Sequence, residues 1–146
     1  MLESILGYNF TKMMRRIVII LMILFTCIVT SYSRSFDWNR VINAIAKVES
    51  NNNPKAIGGG GSVGLLQIRP VLVKDCNKIL AKKNSSKRYT LNDRLSAQKS
   101  KEMFIIIQEY YNPSCNVEKA IRLWNGGPKY NVKSTNAYYK KVLKHL

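Results

Sequence analysis

Apolar residues Val41, Ile42, Ile45 and Val48 recur at three- and four-residue intervals, which places them on one face of a helix. Asp37 suits the N-cap, so the helix should run from there to Glu49 or Ser50, where Asn51-Asn52-Asn53-Pro54 stops it. Gly58-Gly59-Gly60-Gly61-Ser62 then reads as a loop. Leu65 to Arg69 is short and apolar, as an extended segment would be, and Pro70 suits the first turn of a helix with Leu72, Cys76, Ile79 and Leu80 on one side. After a basic loop from Ala81 to Tyr89, Thr90-Leu91-Asn92-Asp93 matches a capping box. It leads into a helix with Met103, Phe104, Ile107 and Tyr111 at core spacing, ended by Asn112-Pro113. Another helix from about Val117 carries Ala120, Ile121 and Trp124 and ends at Gly126-Gly127-Pro128, and a last one holds Tyr138, Val142 and Leu143. The pattern predicts a mainly α chain: one compact helical domain, with a small β ribbon or extended segment near Gly64 to Ile68.

The residues ahead of this domain have a different character. Met13-Met14-Arg15-Arg16 precedes an apolar run from Ile17 to Val29, followed by Thr30-Ser31-Tyr32-Ser33, the three regions of a secretory signal peptide. We expect residues 1–33 to be that signal peptide, cleaved near Ser33, with the domain occupying 34–146 and exported to the periplasm or the extracellular space. The apolar run is 13 residues long. A spanning helix needs roughly 20, so no stable membrane anchor is expected. Met13 and Met14 are alternative starts. Leu24-Phe25-Thr26 ahead of Cys27 lacks the small residue of a lipid-attachment site. Cys76 and Cys115 remain after the leader, either as a disulfide suited to an oxidising compartment or as two free thiols, and spacing does not choose.

Charge adds a second constraint. The 146 residues carry a formal charge of +16. Without residues 1–33 the count is 21 Lys+Arg against 7 Asp+Glu, a charge of +14. Such a surface attracts polyanions. The basic residues are scattered, with no recognition-helix cluster or zinc-finger spacing, so nucleic acid is not the expected partner. The glycine run lacks the Gly-Lys-Ser/Thr of a phosphate loop. His145 is the sole histidine and no ligand-spaced cluster accompanies it, so neither a metal site nor a cofactor is expected.

Glu49 is the candidate for chemistry. It lies four residues after Ile45, at the edge of the apolar face, where desolvation would raise its pKa and let it donate and reclaim a proton near neutral pH. A solvated helix-end glutamate is the alternative reading of the spacing. Asp75, Asp93, Glu102, Glu109 and Glu118 fall on predicted helix surfaces or a cap, so one carboxylate stands alone where glycosidases commonly use two.

Three blocks in order enlarge this picture: Glu49-Ser50 with Pro54 and Ala56, then Gly64-Leu65-Leu66-Gln67-Ile68, then Ala120-Ile121-Arg122-Leu123-Trp124-Asn125-Gly126-Gly127. Together they resemble the catalytic domain of the soluble lytic transglycosylases, relatives of goose-type lysozyme, over about Asp37 to Lys144. The resemblance implies a lysozyme-like α+β fold with the extended segment beside an active-site cleft. It implies an exported enzyme that cleaves the MurNAc-GlcNAc β-1,4 bond of peptidoglycan with formation of 1,6-anhydroMurNAc. Glu49 would be the catalytic acid and base, and the 2-acetamido group of the substrate would supply the missing nucleophile. Ser50, Gln67, Asn125 and Tyr138 would bind substrate. Ser134-Thr135-Asn136-Ala137-Tyr138-Tyr139-Lys140-Lys141-Val142 resembles a further family segment, whose tyrosine, here Tyr138, faces the catalytic glutamate; Ser134 stands where the family has glutamate. Trp124, where the family often has tyrosine, reads as mainly core.

Two rivals remain at this level: a hydrolytic muramidase on the same fold, and a cationic wall-binding module without turnover. The expected partners are peptidoglycan glycan strands. The small domain also suggests an envelope secretion or DNA-transfer machine that positions it.

Overall fold

The computed structural model describes residues 12–22 and 36–146. The chain divides into two units, Met1–Phe36 and Asp37–Leu146. In the first unit, residues 12–22 form helix α1, exposed along its length. The rest of the apolar run, Cys27 and the expected cleavage position at Ser33 lie outside the described residues. Among the described residues no helix is long and apolar enough to cross a membrane.

The second unit is built from α2 (Asn39–Ser50), α3 (Pro70–Lys82), α4 (Ala97–Tyr111), α5 (Val117–Gly126) and α6 (Val132–Leu143), with short 3-10 turns at Gly59–Gly61 and Leu91–Leu95. It is mainly α, as the periodicity predicts. Helix α5 packs on α6, α2 on both, and α3 on α4. Val41, Ile42, Ile45, Ile79, Met103, Phe104, Ile121 and Val142 form the buried centre. The Phe104 ring lies between two tryptophans, 5.7 Å from Trp38 and 5.0 Å from Trp124. Each large apolar side chain buried this way contributes about 1.5–3 kcal/mol.

Most helix ends fall where the sequence places them. Asn51 ends α2 in the left-handed conformation with φ 53°, and Pro70 opens α3. Asp37 does accept from a backbone amide, that of Asn39 at 2.9 Å, but Trp38 occupies the N-cap position. The capping box at Thr90 forms, yet it caps only the 3-10 turn Leu91–Leu95. Ser96 then starts α4 afresh by accepting from the Lys99 amide. The expected single helix is therefore two elements, because Ser96 takes an extended conformation between them.

The expected ribbon is likewise reduced. Two isolated antiparallel bridges, Ile57 to Val63 and Val63 to Ile68, frame a tight turn through Leu65 and Leu66 in place of an extended strand. Gly64 makes the turn possible: φ is +81°, and a Cβ there would stand 1.9 Å from the Arg94 carbonyl oxygen. Arg94 fastens the turn, donating to the carbonyls of Gly61 at 2.9 Å and Ile68 at 3.0 Å. Cys76 and Cys115 are both free thiols. Burial pushes the Cys76 thiol up to about 12.

Candidate active site

The end of α2, the turn after the glycine run, and one face each of α3, α4 and α5 enclose a cleft of about 500 Å³. That volume is in the range of small-molecule sites. Glu49, Gln67, Arg69, Asp75, Tyr111 and Asn125 supply its polar groups, and Leu72, Ile107, Leu123 and Trp124 its apolar wall.

Glu49 reaches the cleft from the last turn of α2, half-buried. The Tyr138 hydroxyl donates to Glu49 Oε1 at 2.7 Å, across the contact between α6 and α2. Burial raises the Glu49 pKa above 4.5 and is the largest influence; the Tyr138 hydrogen bond and the nearby Arg69 charge pull it down. Tyr138 is itself pushed far up by burial and by the Glu49 charge, so it stays a phenol and a donor. The result is a carboxyl group that resists ionisation while one oxygen is held in a fixed direction.

Helix α6 is positioned for this contact by Arg122, which is 4% exposed. Its guanidinium donates to the Val132 carbonyl at 3.0 Å, Thr135 Oγ1 at 3.1 Å and Glu118 Oε1 at 2.7 Å. It also stacks on the Tyr139 ring at 4.3 Å. The sequence signals none of this role, since Arg122 lies in a block read for its neighbours.

Ser50 does not line the cleft. Its hydroxyl is hydrogen-bonded to the Ala46 carbonyl at 3.2 Å and the Leu65 carbonyl at 2.7 Å, so it joins the end of α2 to the turn. Gln67 does line the cleft, with φ +47°. Its amide nitrogen donates to the carbonyls of Gly64 at 3.0 Å and Ala56 at 3.3 Å, and its Oε1 accepts from Ser62 at 3.0 Å. One lone pair of that oxygen is left for a ligand. Asn125 lies in the last turn of α5, exposed to the cleft, and among the described residues nothing hydrogen-bonds its amide. Gly127 is the C-cap of α5. Trp124 is partly buried against Phe104, and its Nε1 donates to the Leu66 carbonyl at 3.2 Å, which leaves part of the ring in the cleft wall.

A family-wide sequence profile described as Transglycosylase SLT domain matches residues 27–145. The chain belongs to this family. Neither a curated protein nor a solved structure matches it. Membership supports peptidoglycan lytic transglycosylase activity, a lyase reaction on the wall polymer, and the helical fold agrees with it. One expectation needs correcting. Asp75, read as a residue of the helix surface, lines the same cleft as Glu49 and accepts a hydrogen bond from the Tyr111 hydroxyl at 3.0 Å. The influences on Glu49 are burial, Tyr138 and Arg69, none of them Asp75. Among the described residues no group of His, Cys, Asp and Glu is arranged to hold a metal ion.

Proposed function

We propose that this transglycosylase is exported and cleaves the MurNAc-GlcNAc β-1,4 bond of peptidoglycan, releasing 1,6-anhydroMurNAc ends. The observation that carries the reading is Glu49: a half-buried carboxyl in the cleft wall, its pKa raised by burial and one oxygen fixed by Tyr138. Protonated, it gives its proton to the glycosidic oxygen as the C1–O bond breaks. The 2-acetamido oxygen of the same MurNAc forms a bond to C1 and closes a five-membered ring. Glu49, now ionised, takes the C6 hydroxyl proton; O6 attacks C1, the acetamido oxygen leaves, and the 1,6-anhydro ring closes. The carboxyl ends protonated as it began, and no water is consumed.

In this reading Tyr138 is a positioning residue that orients Glu49. The free amide of Asn125 and the remaining lone pair of Gln67 Oε1 take substrate hydroxyl or acetamido groups. Ser50 acts through the turn it fastens and not by contact with the sugar. The partly exposed Trp124 ring gives the apolar face of a pyranose a surface to lie on. The test is Glu49→Gln: wall clearance should vanish while wall binding persists. Equal clearance by both proteins would remove Glu49 from the mechanism.

Asp75 favours a second reading, in which a carboxylate in the cleft directs water to C1 and the products are reducing ends. Asp75→Asn should then abolish release as fully as Glu49→Gln. Under the transglycosylase reading it leaves anhydro products forming.

A further inference from the structure

Arg69 is the only cation among the described residues that line the cleft. Its backbone is extended, φ −83° and ψ 155°, at the N-cap of α3, and Pro70 follows at the first helical position, so the base of the side chain is fixed. Its guanidinium lies over Gly60. A Cβ at Gly60, where φ is +65°, would stand 3.4 Å from Nη2 and 3.6 Å from Cζ. The glycine backbone and the fork are thus close neighbours, and a Cβ would only touch it at ordinary van der Waals distance. Arg94 and Arg122 have their forks engaged by carbonyls, whereas no described residue accepts a hydrogen bond from Arg69 or pairs with it as an ion within bonding distance.

An arginine with an open fork in a cleft wall matches a carboxylate, which it can bind by two parallel N–H···O bonds. We infer that Arg69 is an anion subsite of the cleft, binding a carboxylate of the substrate and selecting glycan strands by the acid group they carry near the scissile bond. This rests on the peptidoglycan reading above. That polymer offers two sources, the lactyl carboxyl of a muramic acid stripped of its peptide and the free carboxyls of a stem peptide. Asp75, the other carboxyl that lines the cleft with Glu49, disfavours an anion beside it, so a carboxylate has one favoured station. Occupancy has a consequence for the acid. Arg69 and the Tyr138 phenol are the neighbours that favour ionised Glu49. A bound carboxylate neutralises the first of them, so substrate keeps Glu49 protonated to higher pH.

The experiment uses the full chain and soluble glycan strands of two kinds, peptide-bearing and amidase-stripped, each with carboxyls either free or converted to methylamides. For the wild type, capping should raise KM about tenfold, worth about 1.4 kcal/mol, and leave kcat on the plateau of its pH profile unchanged. The alkaline limb of kcat should lie at lower pH for capped strands. Arg69→Gln should show the raised KM already on uncapped strands, with no response of KM or of the alkaline limb to capping. Arg69→Lys should recover part of the discrimination. The strand kind that responds to capping names the source. Equal capping effects in wild type and Arg69→Gln overturn the inference. Binding of the same strands to Glu49→Gln, with and without Arg69→Gln, reads the subsite without turnover. If the wild type releases nothing while that binding still discriminates through Arg69, the functional reading falls and the anion subsite stands.

Discussion

Tyr138→Phe removes one atom, the hydroxyl oxygen whose hydrogen goes to Glu49 Oε1 at 2.7 Å. A phenol donor stabilises the carboxylate more than the acid, whose carbonyl oxygen accepts a weaker hydrogen bond, so its loss favours protonated Glu49. A hydrogen bond to a charged group contributes about 1.5–3 kcal/mol, against about 0.5–1.5 kcal/mol for one between neutral groups. Glu49 should therefore titrate at higher pH in the variant. The alkaline limb of kcat/KM, which reports the protonated acid in the free enzyme, should move to higher pH. Stability has its own sign. The folded pKa of Glu49 already lies above its unreacted value of 4.5. Between that value and the folded pKa the native state holds a proton that the unfolded state has lost, so stability falls as pH rises through this window and then levels off. In Tyr138→Phe the window extends upward. Urea melts should show the variant less stable by about 0.5–1.5 kcal/mol in acid and by about 1.5–3 kcal/mol above both folded pKa values. An alkaline limb that stays in place or moves down would refute the reasoning.

Two further substitutions test how the cleft is held. Gly64→Ala puts a Cβ 1.9 Å from the Arg94 carbonyl oxygen. The left-handed backbone alone costs about 1–2 kcal/mol, so thermal denaturation should show a larger loss than that, with KM raised because Gln67 and Arg69 follow the same turn. A variant as stable as wild type would contradict the packing described. Arg122→Met should cost about 1–3 kcal/mol, because the Val132 carbonyl and Thr135 Oγ1 lose a donor while Glu118 is left half-exposed. It should also lower kcat more than it raises KM, since α6 carries Tyr138 to Glu49; unchanged kcat in the folded variant would separate Arg122 from the acid.

Much of the site was legible before the fold. Glu49 stood out because a carboxylate at the edge of the Val41, Ile42, Ile45, Val48 face is desolvated by its own helix, and the structure finds it half-buried with a raised pKa. Its partner Tyr138, on the last helix, came only from the resemblance, because no local pattern predicts a contact between helices so far apart in sequence. Asp75 was misplaced for a geometric reason. It lies three residues after Leu72, so the two share a face of α3 that turns to the cleft, beside the face that Cys76 and Ile79 bury. Ile107 and Tyr111, four apart on α4, form the matching wall. Arg69 carried no signal of its own: the segment reads as extended, but Gln67 sits in a turn with φ +47°, and it is that turn which brings Arg69 to the cleft. The break at Ser96 was hidden by the stronger capping signal at Thr90, which the fold uses for only a short turn.

The central claim is that Glu49 drives an intramolecular ring closure. Mass spectrometry of the muropeptides released from purified peptidoglycan by the full chain, with Glu49→Gln alongside, tests it most directly. The account predicts products one water lighter than reducing-end muropeptides, absent with Glu49→Gln. Reducing ends, or release that does not depend on Glu49, would contradict it.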